Sequence, residues 1–127
     1  EQTKKQNQPS FEGKLDFYIG NDDLITASAS IGAKGVISVL SNISPRFTVQ
    51  MIKAALSGNF EESSMMQKKS IPLIKALFSD VNPIAVKEAM TYLGMCESTM
   101  RLPLCGMMEA LKEKLIKTIE ENKSILY

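Results

Sequence analysis

The chain contains no histidine and only two cysteines. The missing histidine removes the commonest general base and the Ser-His and Cys-His nucleophile pairs. It also removes most zinc sites, because Cys96 and Cys105 alone supply at most half a ligand set. A disulfide between them is disfavoured; the expectation is two free thiols in a reducing cytoplasm, packed as small apolar groups. Charge of one sign is lacking too. Fifteen basic residues against fourteen acidic ones leave +1, too weak a field to hold a phosphate backbone, which argues against nucleic acid as a partner. No apolar run approaches the ~20 residues of a membrane span. The polar start EQTKKQNQPS has no apolar stretch behind its lysines, which argues against a signal peptide. What remains is 127 residues at 44% hydrophobic and 23% charged, ordinary globular composition with enough chain for one domain and a core.

Residues 1–10 read as a helix remnant or a loose arm ending at Pro9. Leu15 to Ile19 reads as a strand that stops at Gly20, within FYIGNDD (17–23). Asn21 or Asp22 suits the N-cap of a helix from about Asp23 to Ile31, with Gly32 as its stop. GVISVL (35–40) reads as a second strand, and Pro45 of SNISP suits the first turn of the next helix. Strand, short helix, strand is a βαβ unit, which joins parallel strands.

From residue 46 the chain reads as helical to its end. Phe47, Met51, Ala54, Ala55 and Leu56 make one apolar face, closed by Gly58. Asn59 suits the cap of a longer helix, Phe60 to Phe78, with a kink expected at Pro72. Asn82-Pro83 begins another, with Ile84, Val86, Ala89, Met90 and Leu93 inward and Gly94 as its stop. RLPL (101–104) reads as an extended connection. Met107, Met108, Leu111, Leu115, Ile116 and Ile119 form the stripe of a terminal helix. The eight methionines read as core filling.

This layout carries a physical conflict. Parallel strands are normally covered on both faces and belong to larger sheets or barrels. Two alone leave unpaired edges beside apolar side chains, and four helices cannot supply the missing strands. The first 46 residues therefore read as part of a sheet whose other strands lie outside this sequence. Either the chain is the C-terminal piece of something larger, which is favoured, or copies of it assemble to complete the sheet.

Six stretches then become specific: YIGNDD (18–23), IGAKGVISVLSNISP (31–45), AALSGNFEES (54–63), PLIKALF (72–78), NPIAVKEAM (82–90) and RLPL (101–104). In this order they resemble the C-terminal part of the dihydrodipicolinate synthase family, pyruvate-dependent class I aldolases that also include N-acetylneuraminate lyase. NPIAVK followed by RLPL favours the synthase branch. The resemblance runs from about residue 15 to the last helix; the first dozen residues carry little. It implies an α/β fold, a (β/α)8 TIM barrel followed by a short helical domain. The strand ending at Gly20 would be the seventh and Gly35–Leu40 the eighth. Residues 1–58 would be the last two strand-helix units and 59–127 the helical domain, so the chain itself is mostly helical.

The resemblance also implies one reaction. A lysine amine forms a Schiff base with pyruvate, and the derived enamine attacks the aldehyde of L-aspartate 4-semialdehyde in lysine (diaminopimelate) biosynthesis. A Schiff-base lysine needs a depressed pKa, and such residues sit at the C-terminal ends of barrel strands. The family's lysine belongs to the sixth strand, upstream of residue 1, so no catalytic residue is expected here. Lys34 precedes the eighth strand at the opposite face, and Lys87 reads as a surface or interdomain residue.

By the same resemblance Gly20 is the pocket glycine at the tip of strand seven; otherwise it marks a plain tight turn. Ile37 is the residue whose backbone carbonyl faces the lysine and substrate, or barrel core, or both. Asn21 and Asn82 are candidates for the second substrate, with an N-cap as the alternative for Asn82. Asp22 and Asp23 read as capping and helix-dipole residues rather than catalytic acids. The small residues Ala27, Ser28, Ala29 and Ser30 match a region of subunit contact, or pack closely on the barrel. Partners implied are pyruvate, L-aspartate 4-semialdehyde, the N-terminal part of the barrel and further copies as a tetramer or dimer, with no nucleic acid and no membrane. No motif for a metal, nucleotide or prosthetic group is present, so no cofactor is expected, and the location implied is cytoplasmic.

Two other readings stand beside this one: a sibling aldolase or lyase on the same barrel, and a non-catalytic helical module that binds a partner or oligomerises. The isolated 127 residues are not expected to fold stably as a barrel. A thermal melt of that fragment should show no cooperative monomeric transition, and the appearance of one would refute this.

Overall fold

The computed structural model describes residues 15–126; the expectations for the N-terminal arm lie outside them. The elements in order are β1 (Tyr18–Ile19), α1 (Ile25–Ser30), β2 (Gly35–Val36), α2 (Pro45–Leu56), α3 (Phe60–Leu77), α4 (Ile84–Tyr92) and α5 (Glu109–Glu121). Short 3-10 turns occupy Asp22–Leu24, Leu40–Asn42 and Lys123–Ile125. No helix among the described residues is long and apolar enough to cross a membrane.

β1 and β2 pair in parallel, Tyr18 opposite Gly35 and Ile19 opposite Val36. The two strands are shorter than the residue pattern suggested. Each has a single partner among the described residues, and β2 ends because the chain turns into the Leu40–Asn42 segment rather than running straight to Leu40. The helix expected from Asp23 is likewise split, a 3-10 turn followed by the six residues of α1. Leu15, Tyr18 and Ile37 remain more than half exposed, the apolar surface that a two-stranded parallel pair cannot hide by itself.

The helices follow the expected stripes with local exceptions. α2 buries Met51, Ile52, Ala54 and Ala55 but leaves Leu56 outside. Gly58 follows at φ +85, a conformation that a side chain would oppose. The Asn59 side chain then caps α3, accepting the Glu62 N–H at 3.2 Å and donating to the Glu62 carboxylate at 2.7 Å. α3 continues through Pro72 as one helix. α4 begins only at Ile84, so neither Asn82 nor its side chain forms the cap. RLPL is not extended: the Leu104 N–H donates to the Arg101 carbonyl at 3.0 Å and closes a turn around Pro103. Met108 lies ahead of α5 and is exposed, and Met65 is exposed on α3; Met51 is fully buried, and Met66, Met90 and Met107 pack against the core. Core filling therefore describes only some of the methionines. Cys96 and Cys105 are free, as expected, but exposed rather than packed.

One core spans both sides of residue 58. Ile25, Leu40, Ile43 and Met51 meet Leu73, Leu77, Ala85, Leu115 and Ile119, and each large apolar side chain fully buried there stabilises the fold by about 1.5–3 kcal/mol. Polar ties join the same halves. The Ser44 hydroxyl, at the start of α2, donates to the Ile125 carbonyl near the end of the described chain. Lys112 of α5 pairs with the nearly buried Glu88 of α4 at 2.6 Å, and this hydrogen bond raises the lysine's pKa.

A second tie is exposed. Tyr92 donates to Glu120 at 2.7 Å, and Lys123 pairs with Glu120 at 2.6 Å. The hydrogen bonds from Lys123 and then Tyr92 lower the Glu120 pKa below its usual value of 4.5. The ionised carboxylate is the form the fold favours, so its stabilising effect is complete above the unfolded value and is lost as pH falls through the lower folded one. Thermal melts of the protein and its Glu120→Gln variant should differ by a small margin at neutral pH, and the margin should vanish under acid conditions below pH 4.5. A margin independent of pH would show that the charge is not what matters.

Candidate functional site

The C-terminal ends of β1 and β2 bring two of the residues singled out in the sequence side by side. The Ile37 N–H donates to the Ile19 carbonyl at 2.8 Å, so Gly20 and Ile37 occupy the next position of the parallel register. The ladder stops there. No backbone N–H among the described residues bonds the Ile37 carbonyl, which leaves that oxygen available as an acceptor.

Gly20 is not explained by its backbone or its neighbours. Its φ lies outside the left-handed region, and a Cβ built on it would meet nothing within 4 Å. Neither strain nor packing among the described residues requires a glycine at this tip. The Ile37 side chain is 71% exposed and takes no place in the described core.

Asn21 follows in extended conformation (φ −102, ψ 116), exposed and with no capping bond. It borders a cavity of about 260 Å³ with Asp22 and Asp23 on one side and Ile71, Ile74, Lys75 and Phe78 of α3 on the other. Lys75 is a polar neighbour that sequence reasoning did not single out; on α3 it looked like one more solvated charge. Asn82 is exposed ahead of α4, and no hydrogen bond joins it to Gly20, Asn21 or Ile37.

Asp22 departs most from the expectation. It is 1% exposed and does not cap the helix that follows it. Its Oδ2 accepts the N–H groups of Val39 and Leu40, at 3.0 and 2.9 Å, across the exit of β2. Its backbone carbonyl accepts from Gln67 of α3 at 2.8 Å. Asp23, by contrast, is exposed in the first turn, as a helix-dipole residue would be. Lys34 is exposed at the opposite, N-terminal end of β2, and Lys87 donates to the Thr99 carbonyl. On α1, Ser28 is buried and Ala29 packs on the core, while Ala27 and Ser30 face out along a shallow cleft with Phe60, Ser64 and Lys68.

Comparison with known proteins shows the family of the chain as a whole. The family model for the Dihydrodipicolinate synthetase family matches residues 2–122. The 4-hydroxy-tetrahydrodipicolinate synthase of Methanococcus maripaludis is 45% identical over 101 residues, covering 80% of this chain and 35% of the relative. That of Caldicellulosiruptor bescii is 46% identical over 106 residues, covering 84% of this chain and 36% of the relative. Among solved structures, dihydrodipicolinate synthase from Thermotoga maritima superposes with a TM-score of 0.84 at 38% identity, over 87% of this chain and 38% of that one. The Aquifex aeolicus enzyme gives 0.85 at 38% identity, over 88% and 38%. The chain thus spans little more than a third of the length of the relatives it matches. With the family model matching residues 2–122 and relatives near 45% identical over four fifths of it, the chain belongs to the dihydrodipicolinate synthetase family.

Proposed function

We propose that this chain is the C-terminal part of a 4-hydroxy-tetrahydrodipicolinate synthase. It supplies strands seven and eight of a (β/α)8 barrel, residues up to 58, and the helical domain beyond. The observation that carries this reading is the tip of β1 and β2, where, among the described residues, a glycine faces open space beside a carbonyl that no backbone N–H bonds. That pair is what a pocket wall needs where a small keto acid must come close to backbone.

The chemistry follows from the rest of the barrel. An upstream lysine amine attacks the ketone carbon of pyruvate and expels water, giving an iminium. A proton leaves the methyl carbon to give the enamine, which bonds through that carbon to the aldehyde of L-aspartate 4-semialdehyde. The amino group of the semialdehyde then attacks the iminium carbon and expels the lysine amine, which closes the ring and releases the product. The residues of this chain shape the pocket. Gly20 leaves room for pyruvate, the Ile37 carbonyl offers an acceptor to the lysine N–H or to the hydroxyl of the carbinolamine that precedes the iminium, and Asn21 and Asn82 address the second substrate. The exposed edges of β1 and β2, with Leu15, Tyr18 and Ile37, are covered by the remaining strands. The assembled enzyme is cytoplasmic and a dimer or tetramer, with α1 at one subunit contact.

Intact-mass measurement after incubation with pyruvate and borohydride tests the reading. The expected result is a polypeptide longer than these 127 residues that gains one reduced pyruvyl adduct, on a lysine outside them. An adduct mapped to Lys34, Lys75 or Lys87, or none at all, would overturn it. A second measurement isolates Gly20. Gly20→Ala should lower kcat/KM for pyruvate tenfold or more, about 1.4 kcal/mol of transition-state stabilisation. Because the new methyl touches nothing among the described residues, the melting temperature should stay the same.

A further inference from the structure

Resting on the functional reading above, we propose that Asp22 is the positioning residue of the pyruvate pocket, the group that holds its two walls at a fixed separation. The β-ladder cannot do this, since its last bond is Ile37 N–H to Ile19 carbonyl and it ends before Gly20 and Ile37 can pair. Beyond that point the strand exits are free to splay unless something bridges them. Asp22, two residues past Gly20, sends its carboxylate to Val39 and Leu40, two and three residues past Ile37.

The bridge is built to be stiff. Asp22 is buried, and hydrogen bonds formed away from water are electrostatically stronger than those in contact with it. Both N–H groups converge on one oxygen, Oδ2, and Oδ1 has no donor among the described residues. The carboxylate therefore has one described task. The Asp22 main chain is anchored in turn, its carbonyl accepting from Gln67 of α3, whose Oε1 accepts the Thr26 N–H at 3.3 Å. On the other wall, Ser41 donates twice to Ser38, its N–H to the Ser38 Oγ at 2.9 Å and its hydroxyl to the Ser38 carbonyl at 2.8 Å, which fixes the turn immediately after Ile37. The wall that carries the carbonyl and the wall that carries the glycine are thus both referred to α3 through one side chain. A carboxylate serving only its own helix would bond the N–H groups of the following turn, which this one does not.

The test uses the protein with Asp22→Ala and Asp22→Asn, and Ile119→Ala as a control that destabilises the core on α5, away from the strand tips. Two quantities are followed: amide exchange at Val39 and Leu40, and the pyruvate KM for borohydride trapping. Asp22→Ala should speed exchange at those two amides and raise the pyruvate KM, each tenfold or more. Asp22→Asn keeps an acceptor but loses its charge, so both quantities should move together to intermediate values, about threefold from wild type. Ile119→Ala should lower the melting temperature without changing the pyruvate KM.

If Asp22→Ala does not fold, Asp22→Asn decides. Either quantity moving without the other, or neither moving, overturns the proposal. So does a KM effect that Ile119→Ala reproduces. A wild-type protein that traps no pyruvate overturns the functional reading itself and this proposal with it. A wild type that traps pyruvate while the Asp22 variants keep its KM overturns the clamp alone.

Discussion

A parallel ladder of two residue pairs cannot hold itself together, and the rest of the structure is organised around that constraint. β1 and β2 share only the Tyr18–Gly35 and Ile19–Val36 pairs, too little to offset the cost of ordering the chain between them. Their position is set from outside. α1 and α2 carry Ile25 and Met51 into the core, Ile43 joins them from the end of the Leu40–Asn42 turn, and α3 meets them with Leu73, Ile74 and Leu77. Ser63 of α3 joins this layer through polar contacts, donating to the Met51 carbonyl at 3.0 Å and lying 2.7 Å from the Thr26 hydroxyl. The sheet fragment is a passenger on a helical frame.

That dependence explains which parts of the fold were legible in sequence. Helices that bury a stripe announce it through spacing, and their ends announce themselves through residues with a local reason to be there. Asn59 caps α3 through its own first turn, and Gly58 and Gly94 take positive φ at helix ends. These signals are complete within a few residues. The strands were misjudged in length because their extent depends on partners. Leu15, Phe17 and the run from Ile37 to Leu40 have strand composition, but composition cannot say where pairing stops. Past the end of β2 the Val39 N–H goes to Asp22, seventeen residues away, instead of to a strand partner. A similar limit applies to Asn82: Asn-Pro before an apolar run looks like a helix start, yet the first helical residue is Ile84.

The candidate site divides in the same way. Gly20 and Ile37 could be named because motif resemblance pointed to them, and the parallel register places them next to each other. Asp22 was read as a local cap because acids beside a helix start usually are. Its real partners are remote backbone groups, and no periodicity encodes a carboxylate that reaches across to another strand. Lys75 faces the same obstacle from the other direction. It looks like one more charge on the solvent side of α3, and only the fold puts it at the rim of the cavity that Asn21 borders.

The helices after residue 58 therefore have a mechanical role that their distance from the strands conceals. The Ser44 hydroxyl bonds the Ile125 carbonyl, and Ile125 and Leu126 return to the core that holds Leu40 and Ile43. Leu40 is also one of the two donors to Asp22. The chain's end is thus tied to α2 and to the Leu40–Asn42 turn through packed side chains and the Ser44–Ile125 hydrogen bond. The helical region packs Leu40 and Ile43 into one core with residues of α3, α4 and α5, while Gly20 and Ile37 lie outside that core, so burial orders the turn after β2 and leaves the strand tips to hydrogen bonding.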